Sequence, residues 1–172
     1  MNKIVVRNSW TKLKKILDGG IERSDSSLSA IKAYEGMDCN LIFHDAVRPL
    51  VSQRIISDVV AALKNNNAVA VSVPSTDTIV EIDESGRFIN RIPKRSNLRC
   101  QQTPQGFSYE TIAKAYKQAI EDSSFVATDD CGVVAKYLPE EKIFIVDGED
   151  SNIKITYRKD LRFMEVILDE MA

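Results

Sequence analysis

A chain of 172 residues is long enough for one domain with a substantial core, and 44% hydrophobic with 28% charged residues is the balance of an ordinary globular protein. A formal charge of −2, from 23 basic and 25 acidic side chains, excludes broad electrostatic binding to nucleic acid or an anionic membrane, while leaving room for one small basic pocket. Three cysteines without a C-x-x-C pair and a single histidine exclude a zinc cluster; reduced thiols, and no long apolar segment at the N-terminus, lead us to expect a cytoplasmic protein without a membrane span.

Along the chain, Ile4–Val6 reads as a short strand. Ser9 is placed to cap a helix to Leu17, with Trp10, Leu13, Ile16 and Leu17 on one face, and Gly19-Gly20 ends it. Asp25 or Ser26 is expected to cap the next helix, which carries Leu28, Ile31 and Tyr34. A glycine pair before a helix N-terminus, with Arg23 and Ser26 beside it, suits a nucleotide or phosphate, although glycine-rich helix entries are also common structural devices.

Leu41-Ile42-Phe43 is an apolar run of the kind buried in parallel sheets, and it breaks abruptly into His44, Asp45 and Arg48, with Pro49 closing the turn. Polar residues just past a strand's carboxyl end stand where open α/β sheets bind ligands. Asp45 offers a hard oxygen ligand for a cation such as Mg²⁺, and Arg48 a fork for a carboxylate or phosphate. The structural alternative is that the two pair with each other and brace the turn.

Ser52 is expected to cap a helix with Ile55, Ile56, Val59, Val60 and Leu63 at helical spacing, ended by Asn65-Asn66-Asn67. Ala68–Val73 is a second buried strand, turning polar at Pro74-Ser75-Thr76-Asp77-Thr78, and the strand–helix–strand order implies a right-handed parallel crossover. Ile79–Ile82 and Phe88–Ile92, separated by Asp83-Glu84-Ser85-Gly86-Arg87, read as a hairpin projecting as an arm over about residues 76–99. Such an arm has too little core of its own, and a homodimer is its natural partner. Lys94, Arg95 and Arg99 at its base form a basic patch or a merely solvated face.

Gln101–Phe107 returns the chain to the body. Ser108 caps a helix with Ile112, Ala115, Tyr116, Ala119 and Ile120 on its core side, and Thr128-Asp129-Asp130 reads as a cap followed by first-turn acids of a helix towards Tyr137. Lys142–Val146 is a strand, Asn152–Thr156 another that carries Lys154, and Asp160–Met171 a closing helix with Leu161, Met164, Ile167 and Leu168 inward. The expected architecture is one α/β domain over residues 1–172: a Rossmann-like, mostly parallel sheet flanked by helices, with a protruding β-hairpin arm.

Taken together, Gly-Gly-x-x-Arg-x-x-Ser (Gly19–Ser26), His-Asp-Ala-Val-Arg-Pro (His44–Pro49), Asp77-Thr78, Gln-Thr-Pro-Gln-Gly-Phe (Gln102–Phe107), Thr128-Asp129 and Asn-Ile-Lys-Ile-Thr (Asn152–Thr156) resemble, in order, the cytidylyltransferases that activate polyol phosphates with CTP. That family includes the 2-C-methyl-D-erythritol 4-phosphate and ribitol-5-phosphate enzymes, and the stretch from Phe88 to Arg95 resembles the ribitol-phosphate branch somewhat more. The resemblance implies that Gly20 and Ser26 sit near cytidine, Asp45 beside CTP and its Mg²⁺, and the Ala46 backbone close to the nucleotide. It further implies that Lys154 approaches the α-phosphate. Thr78 and Arg95 would hold the substrate's phosphate across a dimer interface, with Thr103 and Thr128 completing the polyol phosphate pocket. The family also opens on a glycine-rich loop, Leu-Ala-x-Gly-x-Gly-x-Arg-Met followed by Pro-Lys-Gln, which no stretch here matches. The expectation is therefore a chain that starts at the family's second strand and transfers CMP weakly or not at all by itself. The competing reading is a dimeric binding module that retains the polyol phosphate pocket.

Overall fold

The computed structural model describes residues 10–126 and 129–171. The proposed first strand at Ile4–Val6, the cap at Ser9 and the pocket residue Thr128 lie outside them. Residues 10–20 form no helix, and Trp10, Leu13, Ile16 and Leu17 are exposed. Their helical spacing finds no apolar surface to cover among the described residues, and an isolated helix of that length is marginal in water.

Four strands make the main sheet: β1 (Asn40–Phe43), β2 (Ala68–Pro74), β5 (Arg99–Ser108) and β6 (Ile143–Asp147), in the order β1-β5-β2-β6. β1, β2 and β6 run in one direction, and β5 runs against them between β1 and β2. The expected crossover from β1 to β2 therefore joins co-directional strands that are not neighbours. β1 is also an edge strand among the described residues, with only Leu41 buried. The unexpected member is β5, whose segment from Gln102 to Phe107 is wholly buried. Its pairing with β2 steps from Ala70↔Gln105 to Val71↔Gln102, so Thr103 and Pro104 fall in a bulge.

Helices cover both faces, which is why β2 reads as one continuous apolar run. On one face α1 (Arg23–Ala33), α3 (Tyr109–Glu121) and α4 (Asp130–Tyr137) pack Ile31, Ile112, Ala115, Tyr116 and Val134 against Ala68, Ala70 and Phe107. On the other, α2 (Gln53–Ala62) packs Ile55, Val59 and Leu63 against Val69, Val71 and Val146. Gly106 makes that contact possible, because a Cβ there would stand 2.8 Å from Leu63 Cδ1 and 3.1 Å from Val59 Cγ1. Ser52 and Ser108 cap α2 and α3 through their side chains, as expected. Ile56, Val60 and Ile120 face solvent instead of the core.

Two further expectations change. Asn152–Thr156 is not a strand; it is a loop laid against the β1 turn by a bond from Ile155 N to Val47 O at 2.8 Å. The last helix, α5 (Asp160–Met171), forms where expected, but Leu161 and Leu168 are exposed because no described element covers that face. The hairpin arm is present as β3 (Glu81–Ile82) and β4 (Ile89–Arg91), and Ile79, Val80, Ile82, Phe88, Ile89 and Ile92 on it are all exposed.

Candidate active site

Because β1 and β6 point the same way, the turn after Phe43 and the loop after Asp147 emerge at one end of the sheet. That is where Asp45 and Lys154 meet. A cleft of about 160 Å³ is lined by Arg23, Asp45, Arg48, Gln102, Thr103 and Lys154, with Gln101, Gln105 and Asp129 completing its wall. Asp45 lies within 3.1 Å of Lys154 Nζ, 3.4 Å of Arg23 Nε and 3.8 Å of Arg48 Nε. Burial pushes its carboxyl up, but Lys154 and then Arg23 outweigh that and hold it below its ordinary value of 3.8. Three cations thus converge on the Asp45 carboxylate.

The turn is braced rather than merely placed. Arg48 N donates to Asp45 O at 2.9 Å, Asp45 N donates to Thr103 Oγ1 at 3.0 Å, and His44 Nδ1 and Nε2 lie 3.0 Å from Thr103 Oγ1 and Arg48 O. Arg48 is not a free fork: Nη1 donates to Asn152 O at 2.7 Å and Nη2 to Gln101 O at 3.4 Å. Burial lowers its pKa, and Asp45 only partly offsets this. Arg48 thus ties the Lys154 loop to the Asp45 turn, closer to the bracing alternative than to phosphate capture. Asn152, 0% exposed, completes the tie by donating from Nδ2 to Gln102 Oε1 at 3.0 Å and to Thr103 O at 2.9 Å.

Sequence reasoning missed the layer beneath the cleft. Arg23 Nη1 donates to Asp130 Oδ2 at 2.7 Å, and Tyr116 OH donates to Asp130 Oδ1 at 2.7 Å. Asp130 is a first-turn acid of α4, as expected, but it is 0% exposed. Burial lowers the Arg23 pKa, but Asp130 and then Asp45 raise it above its ordinary value, so Arg23 stays charged. Asp129 is the α4 cap, accepting from Gly132 N at 2.7 Å. Gln105 closes the same terminus, its Oε1 accepting from Asp130 N and Cys131 N at 3.1 Å each. The polar glutamines of β5 were the available signal, since buried amides in a central strand need partners.

The remaining expected residues are distributed as follows. Gly20 and Ser26 are joined, Gly20 N donating to Ser26 Oγ at 3.2 Å beside the start of α1. A Cβ on Gly20 would collide with Asp25. Neither Asp25 nor Ser26 is the cap: Glu22 holds that position, its N–H donating to Asp25 Oδ2 at 3.0 Å. Ala46 is exposed in the turn. Thr78 is exposed at the arm root, and Arg95, with Nη1 donating to Thr76 O at 3.1 Å, lines a second cleft of about 470 Å³ with Lys94, Ser96 and Arg99. The described chain does not bring Thr78 and Arg95 to Asp45. Among the described residues no group of three or more acidic, histidine or cysteine side chains could cage a metal. Asp45 alone fits a single contact to an ion carried in by a nucleotide's phosphates.

A Rossmann-like α/β sheet with a cleft of converging charges where β1 and β6 end has the arrangement of a ligand-binding α/β domain. The model of the 2-C-methyl-D-erythritol 4-phosphate cytidylyltransferase (IspD) family matches residues 5–170, and the chain belongs to that family of nucleotidyltransferases. It is 48% identical over 171 residues to the 2-C-methyl-D-erythritol 4-phosphate cytidylyltransferase of Thermobifida fusca, covering 96% of this chain and 69% of that one. It is 45% identical over 160 residues to the bifunctional ribulose 5-phosphate reductase/CDP-ribitol pyrophosphorylase of Haemophilus influenzae, covering 92% of this chain and 34% of that one. The crystal structure of 4-diphosphocytidyl-2C-methyl-D-erythritol synthase from Anaerococcus prevotii superposes with a TM-score of 0.85 at 29% identity, covering 98% of this chain and 77% of that one. No described helix is long and apolar enough to cross a membrane.

Proposed function

We propose that this chain transfers CMP from CTP to a polyol phosphate, ribitol 5-phosphate or 2-C-methyl-D-erythritol 4-phosphate, releasing pyrophosphate and leaving a CDP-polyol. The observation that carries the reading is the meeting of Lys154, Arg23 and Arg48 around Asp45 in a braced cleft. The substrate's phosphate oxygen attacks the α-phosphorus in line and pyrophosphate departs, so the protein positions reactants and stabilises growing negative charge without a covalent intermediate.

Lys154, half-exposed and among the described residues paired with Asp45 alone, turns to the α-phosphate when the nucleotide enters. Gly20 and Ser26 flank the cytidine, with the exposed Ala46 backbone close by. Thr103 holds the Asp45 turn at the edge of the polyol phosphate pocket, which Thr128 completes. Asp45 would hold Mg²⁺, which would supply positive charge against the triphosphate. Thr78 and Arg95 hold the polyol's phosphate from across a homodimer built on the arm; the exposed apolar residues of that arm support the pairing. Cys39, Cys100 and Cys131 are all free thiols, which supports a cytoplasmic setting.

Mg²⁺-dependent pyrophosphate release from CTP, with the two polyol phosphates side by side, tests the reading. Release with one of them fixes both reaction and substrate; no release with either favours the binding module, which the named relatives do not support.

A further inference from the structure

Resting on that reading, we propose that Arg23 is a positioning residue for the transfer: anchored from behind by Asp130 and Tyr116, it fixes where the Asp45 carboxylate stands. The two oxygens of Asp45 are held by different cations. Oδ2 faces Lys154 at 3.1 Å and Arg48 at 3.8 Å, whereas Oδ1 faces Arg23 Nε at 3.4 Å. When Lys154 turns to the nucleotide, Oδ2 keeps only the longer contact to Arg48, whose Nη1 and Nη2 are committed to Asn152 O and Gln101 O. Arg23 is then the near contact that keeps the carboxylate from rotating.

Its aim is fixed because one planar guanidinium serves two carboxylates, Nη1 on Asp130 and Nε on Asp45. Asp130 cannot yield, since it is 0% exposed and its other oxygen accepts from Tyr116 OH. Neutralising Asp130 is not a sufficient account of Arg23. A buried ion pair is often no more stabilising than an uncharged pair of similar volume, so the pair's value lies in where it points.

The test compares the wild type with the double variant Arg23→Gln/Asp130→Asn and the single variant Arg23→Lys. The double variant removes both charges and leaves no orphaned buried anion, and Arg23→Lys keeps the charge against Asp130 but loses the two-pronged reach. Melting temperature, kcat and KM for CTP are measured by calorimetry and pyrophosphate release. Both variants are expected to melt cooperatively, with kcat reduced by about ten- to a hundredfold and KM for CTP within about twofold of wild type. A folded double variant with wild-type kcat would overturn the proposal and leave the cytidylyltransferase reading intact. A wild type that releases no pyrophosphate with either polyol would overturn both.

Discussion

Asp45 carries the electrostatics of the cleft, and its titration has a definite sign. Its folded pKa lies below the ordinary 3.8, so the ionised carboxylate's contribution to stability is complete above that value and is lost as pH falls through the depressed one. The difference in melting temperature between wild type and Asp45→Asn is expected to stay constant between about pH 5 and pH 8 and to shrink only in stronger acid. At neutral pH the same substitution is expected to lower kcat about a hundredfold, read by pyrophosphate release. Asn152 is the second residue to test. Asn152→Ala leaves Thr103 O and Gln102 Oε1 without their donor and is expected to cost about 1–3 kcal/mol in urea unfolding, with a parallel loss of rate as the Lys154 loop loosens. Wild-type stability and rate in that variant would show the loop to be held by other contacts. Asp45 was readable from the sequence because a charge close after an apolar run is conspicuous, and Lys154 because it stands in the Asn-Ile-Lys-Ile-Thr motif. The ties of Arg23 to Asp130 and of Asn152 to Arg48 were not, because each spans about a hundred residues, although Arg23 and Asn152 stand in the motifs themselves.

At the scale of elements, α2 and α3 were legible from a serine cap and 3.6-residue spacing, signals that tertiary context did not override. β5 was illegible for a physical reason: Pro104 and Gly106 speak against a central strand, and Gln101, Gln102, Thr103 and Gln105 speak against burial. Those polar groups survive burial because each of the buried three has a partner, Gln102 on Glu149 O, Thr103 on Asp45 N and Gln105 on Asp129. The strand that looked like a loop is thus the scaffold of the cleft. Its glycine gives a separate test. Gly106→Ala forces Leu63 and Val59 of the α2 face aside and is expected to cost about 1–3 kcal/mol in thermal unfolding, part of which Leu63→Ala in the same chain should restore.

For the whole molecule, the three-layer arrangement and the arm followed from the alternation of apolar runs, helical periods and one hairpin signal. The order of strands did not, since an antiparallel insertion between co-directional strands leaves no local mark. The arm's exposed face predicts association. Phe88→Asp with Ile89→Asp is expected to convert a dimer into monomers in sedimentation without altering the melting of the monomer body, and an unchanged sedimentation coefficient would refute pairing through the arm. The cleft's long-range wiring has its own consequence. Arg23 and Asp130 are 107 residues apart in the chain, and Arg48 and Asn152 are 104 apart. At about 5–20 residues per second, Arg23 is made about 5–20 s before Asp130. Most of the chain must be made before the cleft can close in full, so its early half waits seconds for the residues that anchor it.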